Sequence, residues 1–284
     1  MRRLLPLVFL TAGCITWSWP TSTTPITGLS FPAFVSDVRS VRGYGADTFW
    51  LWTDPAVFGD TLVTYGVNAT HLEVYNCSPS KAASLTSDPS PHGCWTSARF
   101  AGELAGPLDA FLSAMQARKI VTVLSLYGGH NMAGVTDADL TGMLHWLNIR
   151  ASGTDGIWLN LATEPGDWSP QFSHLQDIVN ANWTGVKVWN YGTRPPNAPP
   201  GFVIEWHAQY GNDVGPGGDL VVTDSALWYA LNLDGSLQSK LDPAKVQEFE
   251  RRVVAAGNGF VSYGQNEAGW QIDTDGIKAV GGVK

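Results

Sequence analysis

Short apolar runs recur along this chain, each of strand length and most followed by a helix-start signal. Few folds accommodate that alternation. The clearest copy is GIWLNLATEPGD at 156–167, whose near-continuous apolar first half suits a parallel strand buried on both faces. Pro165 stops the run, and Ser169-Pro170 signals the next helix at once. Glu164 therefore sits in a strand-to-helix connection, where α/β folds gather their chemistry.

Other copies flank this one. Residues 33–41 read as a first strand, and Asp54-Pro55 opens a helix carrying Val57, Leu62 and Tyr65 that stops near Gly66. A second strand is expected at 71–75. Leu104, Leu108, Phe111, Leu112 and Met115 fall at helical spacing before a third strand at 120–127, which Gly128-Gly129 ends. Thr136 or Asp137 caps a helix striped by Leu140, Met143, Leu144 and Leu147, which leads into the strand before Glu164. A helix through Phe172, Leu175, Ile178 and Val179 follows, then strands at 186–191, 202–207 and 220–223. Asp242-Pro243 opens a last helix, with Val246, Phe249 and Val253 inward, before an eighth strand at 259–263. Eight strands with helices between them predict an α/β fold of the (β/α)₈ TIM-barrel type, built as a single domain. A doubly wound open sheet is the alternative, because residues 192–201 are too Pro-rich for a good helix.

The amino terminus reads as an export signal. Arg2 and Arg3 precede an apolar stretch at 4–12 that is too short to span a bilayer, and LTAGC at 10–14 resembles a bacterial lipobox. The expected organisation is a lipoprotein signal peptide at 1–13, a Ser/Thr/Pro-rich tether at 14–32 and the barrel domain at 33–284. Cys14 is then the lipidated residue of a membrane-anchored, exported protein. Ordinary cleavage and secretion is the alternative. Lipidation of Cys14 leaves Cys77 and Cys94 as one possible disulfide, fitting an oxidising compartment. Seventeen basic against 25 acidic residues give a charge of −8, which argues against nucleic acid as a partner. Thirteen Trp and eight Tyr supply candidate stacking platforms for sugar rings, although core packing accounts for many such residues.

The order of motifs resembles the clan A glycoside hydrolases, the cellulase-like family 5 in particular. LVTYGVNATHLEVY at 62–75 looks like that family's second strand and its approach, and LDAFLSAMQARKIVTVLSLY at 108–127 like its second helix and third strand. Glu164-Pro165 matches the end of the fourth strand, His207 the histidine of the sixth, and LVVTDS at 220–225 the seventh. The resemblance implies a retaining glycosidase with two carboxylates. This sequence departs from it at three positions: Thr163 replaces an asparagine, Asp224 a glutamate nucleophile, and His71 an arginine.

Glycosidic cleavage needs one protonated carboxyl group and one ionised one across the bond. Glu164 as acid and Asp224 as second carboxylate are the best catalytic pair. Simpler roles exist for each: a carboxylate beside a helix amino terminus for Glu164, a cap for Asp224. Glu205 and His207 share a face of the sixth strand. If that face is the interior, His207 can orient Asp224, and Glu205 needs a partner or serves as a reserve acid; the opposite registration makes both structural. His71, His130, Asn131, Thr163, Asn190, Glu205, His207, Tyr210, Tyr263 and Trp270 are the candidate substrate-binding residues, with Asn266 and Glu267 nearby. Asp273-Thr274-Asp275-Gly276 lacks calcium-loop spacing, no Cys/His cluster suggests zinc, and no cofactor or metal is expected. Two functions follow. One is an exported glycoside hydrolase acting, as a monomer, on a β-linked poly- or oligosaccharide. The other is a non-catalytic carbohydrate-binding lipoprotein on a degraded glycosidase barrel.

Overall fold

A computed structural model describes residue 32 and residues 34–42, 54–73, 105–128, 136–151, 156–163, 170–191, 201–208, 214–223 and 243–263. Eight strands run through them: β1 (Arg39–Arg42), β2 (Ala69–Glu73), β3 (Val121–Gly128), β4 (Ile157–Thr163), β5 (Lys187–Tyr191), β6 (Val203–Ala208), β7 (Leu220–Thr223) and β8 (Gly259–Tyr263). Each pairs in parallel with the next, and β1 pairs with β8, so the sheet closes into a barrel in chain order. The described helices are α1 (Pro55–Thr64), α2 (Ala105–Ala117), α3 (Asp137–Ala151), α4 (Pro170–Asn182) and α5 (Pro243–Ala255), with a 3₁₀ turn at Val35–Asp37. Closure of a parallel sheet, with no edge strand left over, decides between barrel and open sheet.

The local signals explain the helix starts. The Asp54 side chain accepts hydrogen bonds from the amides of Ala56 and Val57 at 2.9 and 3.3 Å, with Pro55 in the first turn, where its missing N–H removes nothing. Thr136 Oγ1 accepts from the Asp139 amide at 3.1 Å and donates to the Asp139 carboxylate, so Thr136 is the cap of α3. Two strand starts differ from the sequence expectation by more than one residue. Residues 35–37 turn before β1 begins at Arg39, rather than extending from residue 33. β2 begins at Ala69, two residues before the expected start. The cause is Asn68, which accepts from the Arg39 amide at 2.8 Å and donates to the Asp37 carbonyl at 2.7 Å, fastening the entries of β1 and β2 side by side.

Strand alternation sorts the core into two apolar layers. Outward residues such as Val41, Leu72, Leu124, Leu126, Leu159, Leu161, Val221 and Phe260 pack beneath the helices with Leu108, Phe111, Leu144, Leu175 and Val253. Inward residues Val38, Ala69, Val121, Val123, Trp158, Val188, Leu220, Val222 and Val261 fill the lumen. The barrel is a packed plug and not a pore. Four of the tryptophans, Trp146, Trp158, Trp183 and Trp206, are 2–5% exposed and belong to this packing, so they are not platforms for a ligand.

Candidate active site

Above the apolar filling, toward the carboxyl ends of the strands, the same inward parity delivers polar side chains. His71 from β2, Ser125 from β3, Asn160 from β4, Asn190 from β5 and Glu205 from β6 are each 0–1% exposed. Each lies two residues beyond an inward apolar residue of its own strand: Ala69, Val123, Trp158, Val188 and Val203. Alternation alone therefore points all five at the lumen.

They join into one network. Asn160 Nδ2 donates to Ser125 Oγ at 2.8 Å, and Ser125 Oγ lies 2.5 Å from His71 Nε2. The other ring nitrogen, Nδ1, stands 3.2 Å from Glu205 Oε1, within ion-pair distance but too bent for a good hydrogen bond. Asn190 Nδ2 donates to the same oxygen at 2.6 Å. A buried carboxylate needs such donors, because desolvation without them is expensive. Glu205 therefore faces the interior, with Asn190 and His71 both set against its Oε1.

The sequence-predicted residues divide accordingly. Asn190 was expected to line the cleft, His71 and Glu205 to be substrate-binding, and Glu205 to need a partner if its face was the interior. They converge, but in the barrel floor, engaged with one another rather than exposed. Thr163, His207 and Tyr263 lie on β4, β6 and β8 at or near their carboxyl ends. Glu164 follows Thr163, the last residue of β4, and Asp224 follows Thr223, the last residue of β7, in the sequence. Glu164, Asp224, His130, Asn131, Tyr210, Asn266, Glu267 and Trp270 lie outside the described residues, as do Cys14, Cys77 and Cys94. Ser125 and Asn160 were missed. The signal was present: Asn160 interrupts an apolar run, Ser125 does so in a strand whose other buried polar residue, Thr122, has the opposite parity, and each stands at the parity of a neighbouring inward position.

Two arginine–carboxyl contacts, each with one buried partner, lie away from the lumen. Arg39 Nε meets Glu250 Oε1 at 2.9 Å between β1 and α5, and Arg150 Nε meets Asp109 Oδ1 at 2.6 Å between α3 and α2. Burial pushes the Glu250 carboxyl up to about 8, against the opposing pull of Arg39. Arg150 also donates to Ser113 Oγ at 2.5 Å. These pairs tie helices to the barrel and to each other.

A closed eight-stranded parallel barrel in chain order is the (β/α)₈ fold, and glycoside hydrolases are among the solved structures that share it. Among similar solved structures is a putative glycoside hydrolase from Bacteroides vulgatus ATCC 8482, with a TM-score of 0.55 at 14% identity over 85% of this chain and 56% of that one. A β-1,4-mannanase of family GH113 gives a TM-score of 0.53 at 11% identity, covering 88% of this chain and 99% of the other. A Thermomonospora fusca β-mannanase in complex with mannohexaose gives 0.50 at 12% identity over 87% and 82%. The present chain thus spans little more than half of the Bacteroides protein but nearly the whole GH113 enzyme. The sequence matches no family model and no curated protein.

Proposed function

We propose that this protein is an exported glycoside hydrolase that cleaves O-glycosidic bonds of a β-linked poly- or oligosaccharide, with Glu164 as general acid and Asp224 as the second carboxylate. One observation carries the reading: the two carboxylates follow directly on the last residues of β4 and β7 in a closed parallel barrel. The carboxyl end of such a barrel is where catalytic groups collect. The two-residue period that runs through Trp158 and Asn160 has 164 among its members, and the period through Leu220 and Val222 has 224.

In this role Glu164 gives its proton to the leaving oxygen as the C1–O bond breaks. Asp224, ionised, either attacks C1 or takes a proton from the water that does. Aspartate is one methylene shorter than the glutamate of the resembled family. The carboxyl separation then moves from the ~5 to 5.5 Å of retaining enzymes toward the ~6.5 Å at which water fits between. Slow turnover, with inversion or weak retention, is the expectation.

Glu164→Gln keeps shape and hydrogen bonding but removes the proton, so turnover should fall by ~10²- to 10⁴-fold with ligand binding retained. Near-normal turnover on substrates with poor leaving groups would sink this assignment. Asp224→Glu should raise the rate or restore retention, read from the first-formed anomer by proton NMR. Export, acylation of Cys14 and the Cys77–Cys94 bridge are part of the same proposal. Fatty-acid labelling against a Cys14→Ala control tests the anchor, and two titratable thiols in the mature chain would exclude the bridge.

A second reading, a carbohydrate-binding protein without hydrolysis, has one specific observation in its favour. His71, standing where the resembled family has an arginine, is committed to Ser125 and Glu205 in the barrel floor. A glycan panel scored for both binding and reducing-end release separates the two, because binding without release on every ligand supports the second.

A further inference from the structure

In a closed ring of eight strands, β2 and β6 are four steps apart and face each other across the lumen. The contact between His71 and Glu205 therefore crosses the barrel rather than joining neighbours. β3 and β4 are tied to one end of it through Ser125 and Asn160, and β5 to the other through Asn190. Five consecutive strands each contribute one buried side chain to a single cross-barrel strut.

The donor and acceptor count fixes its direction. The Asn160 amide nitrogen can only donate, so Ser125 Oγ accepts there and has one proton left to give. That proton matches His71 Nε2 as an acceptor, which leaves the ring's own hydrogen on Nδ1, facing the Glu205 carboxylate. Asn190 donates to the same carboxylate oxygen, Oε1. With neutral His71 in this tautomer, each hydrogen bond of the chain pairs a donor with an acceptor, and the bent Nδ1–H faces the Glu205 carboxylate across 3.2 Å. Protonated His71 would set two donors, Asn160 and Nε2, on Ser125 and leave the serine hydrogen to find another acceptor.

We propose that Glu205 and His71 are positioning residues, and that the directed chain Asn160–Ser125–His71–Glu205–Asn190 fixes the spacing of β4 and β6 below the catalytic layer. The proposal rests on the glycosidase reading above. Asn160 lies four residues before Glu164 on the same chain segment, and Glu205 two before His207. Loss of the strut lets these strands relax relative to one another, and a catalytic group misplaced by ~1 Å can lose ~10²-fold in rate. Neither residue is exposed enough in this structure to touch a substrate, so Glu205 is assigned here and not to the reaction itself.

The test uses the full chain. Nitrogen-15 NMR of histidine-labelled protein near pH 7.5, with His71→Gln to assign the signal, should show Nδ1 protonated and Nε2 bare. Glu205→Gln should leave Nε2 bare and move the Nδ1 resonance. A protonated Nε2 in the unmodified protein would overturn the directed chain whether or not any glycan is cleaved. In kinetics, Glu205→Leu should lower kcat by ~10²-fold with KM within about threefold, while Glu205→Gln, which keeps an acceptor for Asn190 and His71, should recover most of that loss. Asn190→Ala, a milder cut of the same strut, should give a smaller fall in kcat at unchanged KM and serves if the leucine variant does not fold. Unchanged kcat in Asn190→Ala, or in a folded Glu205→Leu, overturns the positioning role. A loss in Glu205→Gln as large as in Glu164→Gln also overturns it and makes Glu205 a reacting carboxylate. Absence of turnover on every glycan by the unmodified protein counts against the hydrolase reading, while the nitrogen signature still decides the strut.

Discussion

At the scale of single residues, three described helices end in the same way, and one of them does so with the wrong side chain. Gly66 after α1 and Gly257 after α5 have φ of 75° and 82°, and the following amides reach back to Leu62 and Val253. This is the helix stop in which glycine meets no Cβ penalty. After α2 the same place belongs to Lys119, at φ 60°, with the Ile120 amide bonded to the Met115 carbonyl at 2.9 Å. A left-handed conformation strains any L residue other than glycine by ~1 to 2 kcal/mol, and glycine's freer unfolded chain takes back part of the gain. Lys119→Gly should therefore stabilise the protein by ~0.5 to 1 kcal/mol. Chemical denaturation of the pair measures this directly, and an unchanged or lower midpoint at equal slope would refute it.

Between elements, the joint of β1 with α5 carries the clearest pH signature. Glu250 is fully buried beside Arg39, and burial lifts its carboxyl from 4.5 to about 8. The folded state then holds a proton that the unfolded chain releases. Stability falls as pH rises from about 4.5 through about 8, and the trend ends above that range. Glu250→Gln deletes the term, so its melting temperature should change less than that of the unmodified protein between pH 5 and pH 8. Parallel melting curves for the two proteins over this range would contradict a raised carboxyl and imply that Arg39 keeps Glu250 ionised throughout. Arg39 also donates to the Ser36 and Val38 carbonyls at 2.7 and 2.9 Å, so the joint reaches the turn under the barrel.

Across the whole molecule, closure of the ring depends on an intimate fit at its amino-terminal end. A Cβ added to Gly259 would stand 2.4 Å from the Val35 carbonyl oxygen and 2.7 Å from Leu220 Cδ2. The 3₁₀ turn, β8 and β7 thus meet where only glycine fits, and β8 pairs with β1 beside that point. Gly259→Ala must push the backbone of the turn aside, and overpacking of this kind costs about 1 to 3 kcal/mol. Thermal unfolding should register the loss, and a variant within half a degree of the parent would show that the turn yields freely.

Strand alternation, helix stripes, the Asp54 cap and a cap at Thr136 or Asp137 were all legible in the chain, because each is a local pattern that spans a few residues. They set eight strands, their helices and the (β/α)₈ expectation, with small errors at β1 and β2 where Asn68 acts between distant segments. The barrel floor was not legible. His71, Asn190 and Glu205 looked like ligand contacts because polarity near a strand end is the same signal whether a side chain meets substrate or another side chain. Ser125 and Asn160 looked like interruptions of apolar strands. Ring closure decides which of these meet, since it alone brings β2 opposite β6. A contact across the lumen has no period to read in the sequence and exists only once the sheet has shut.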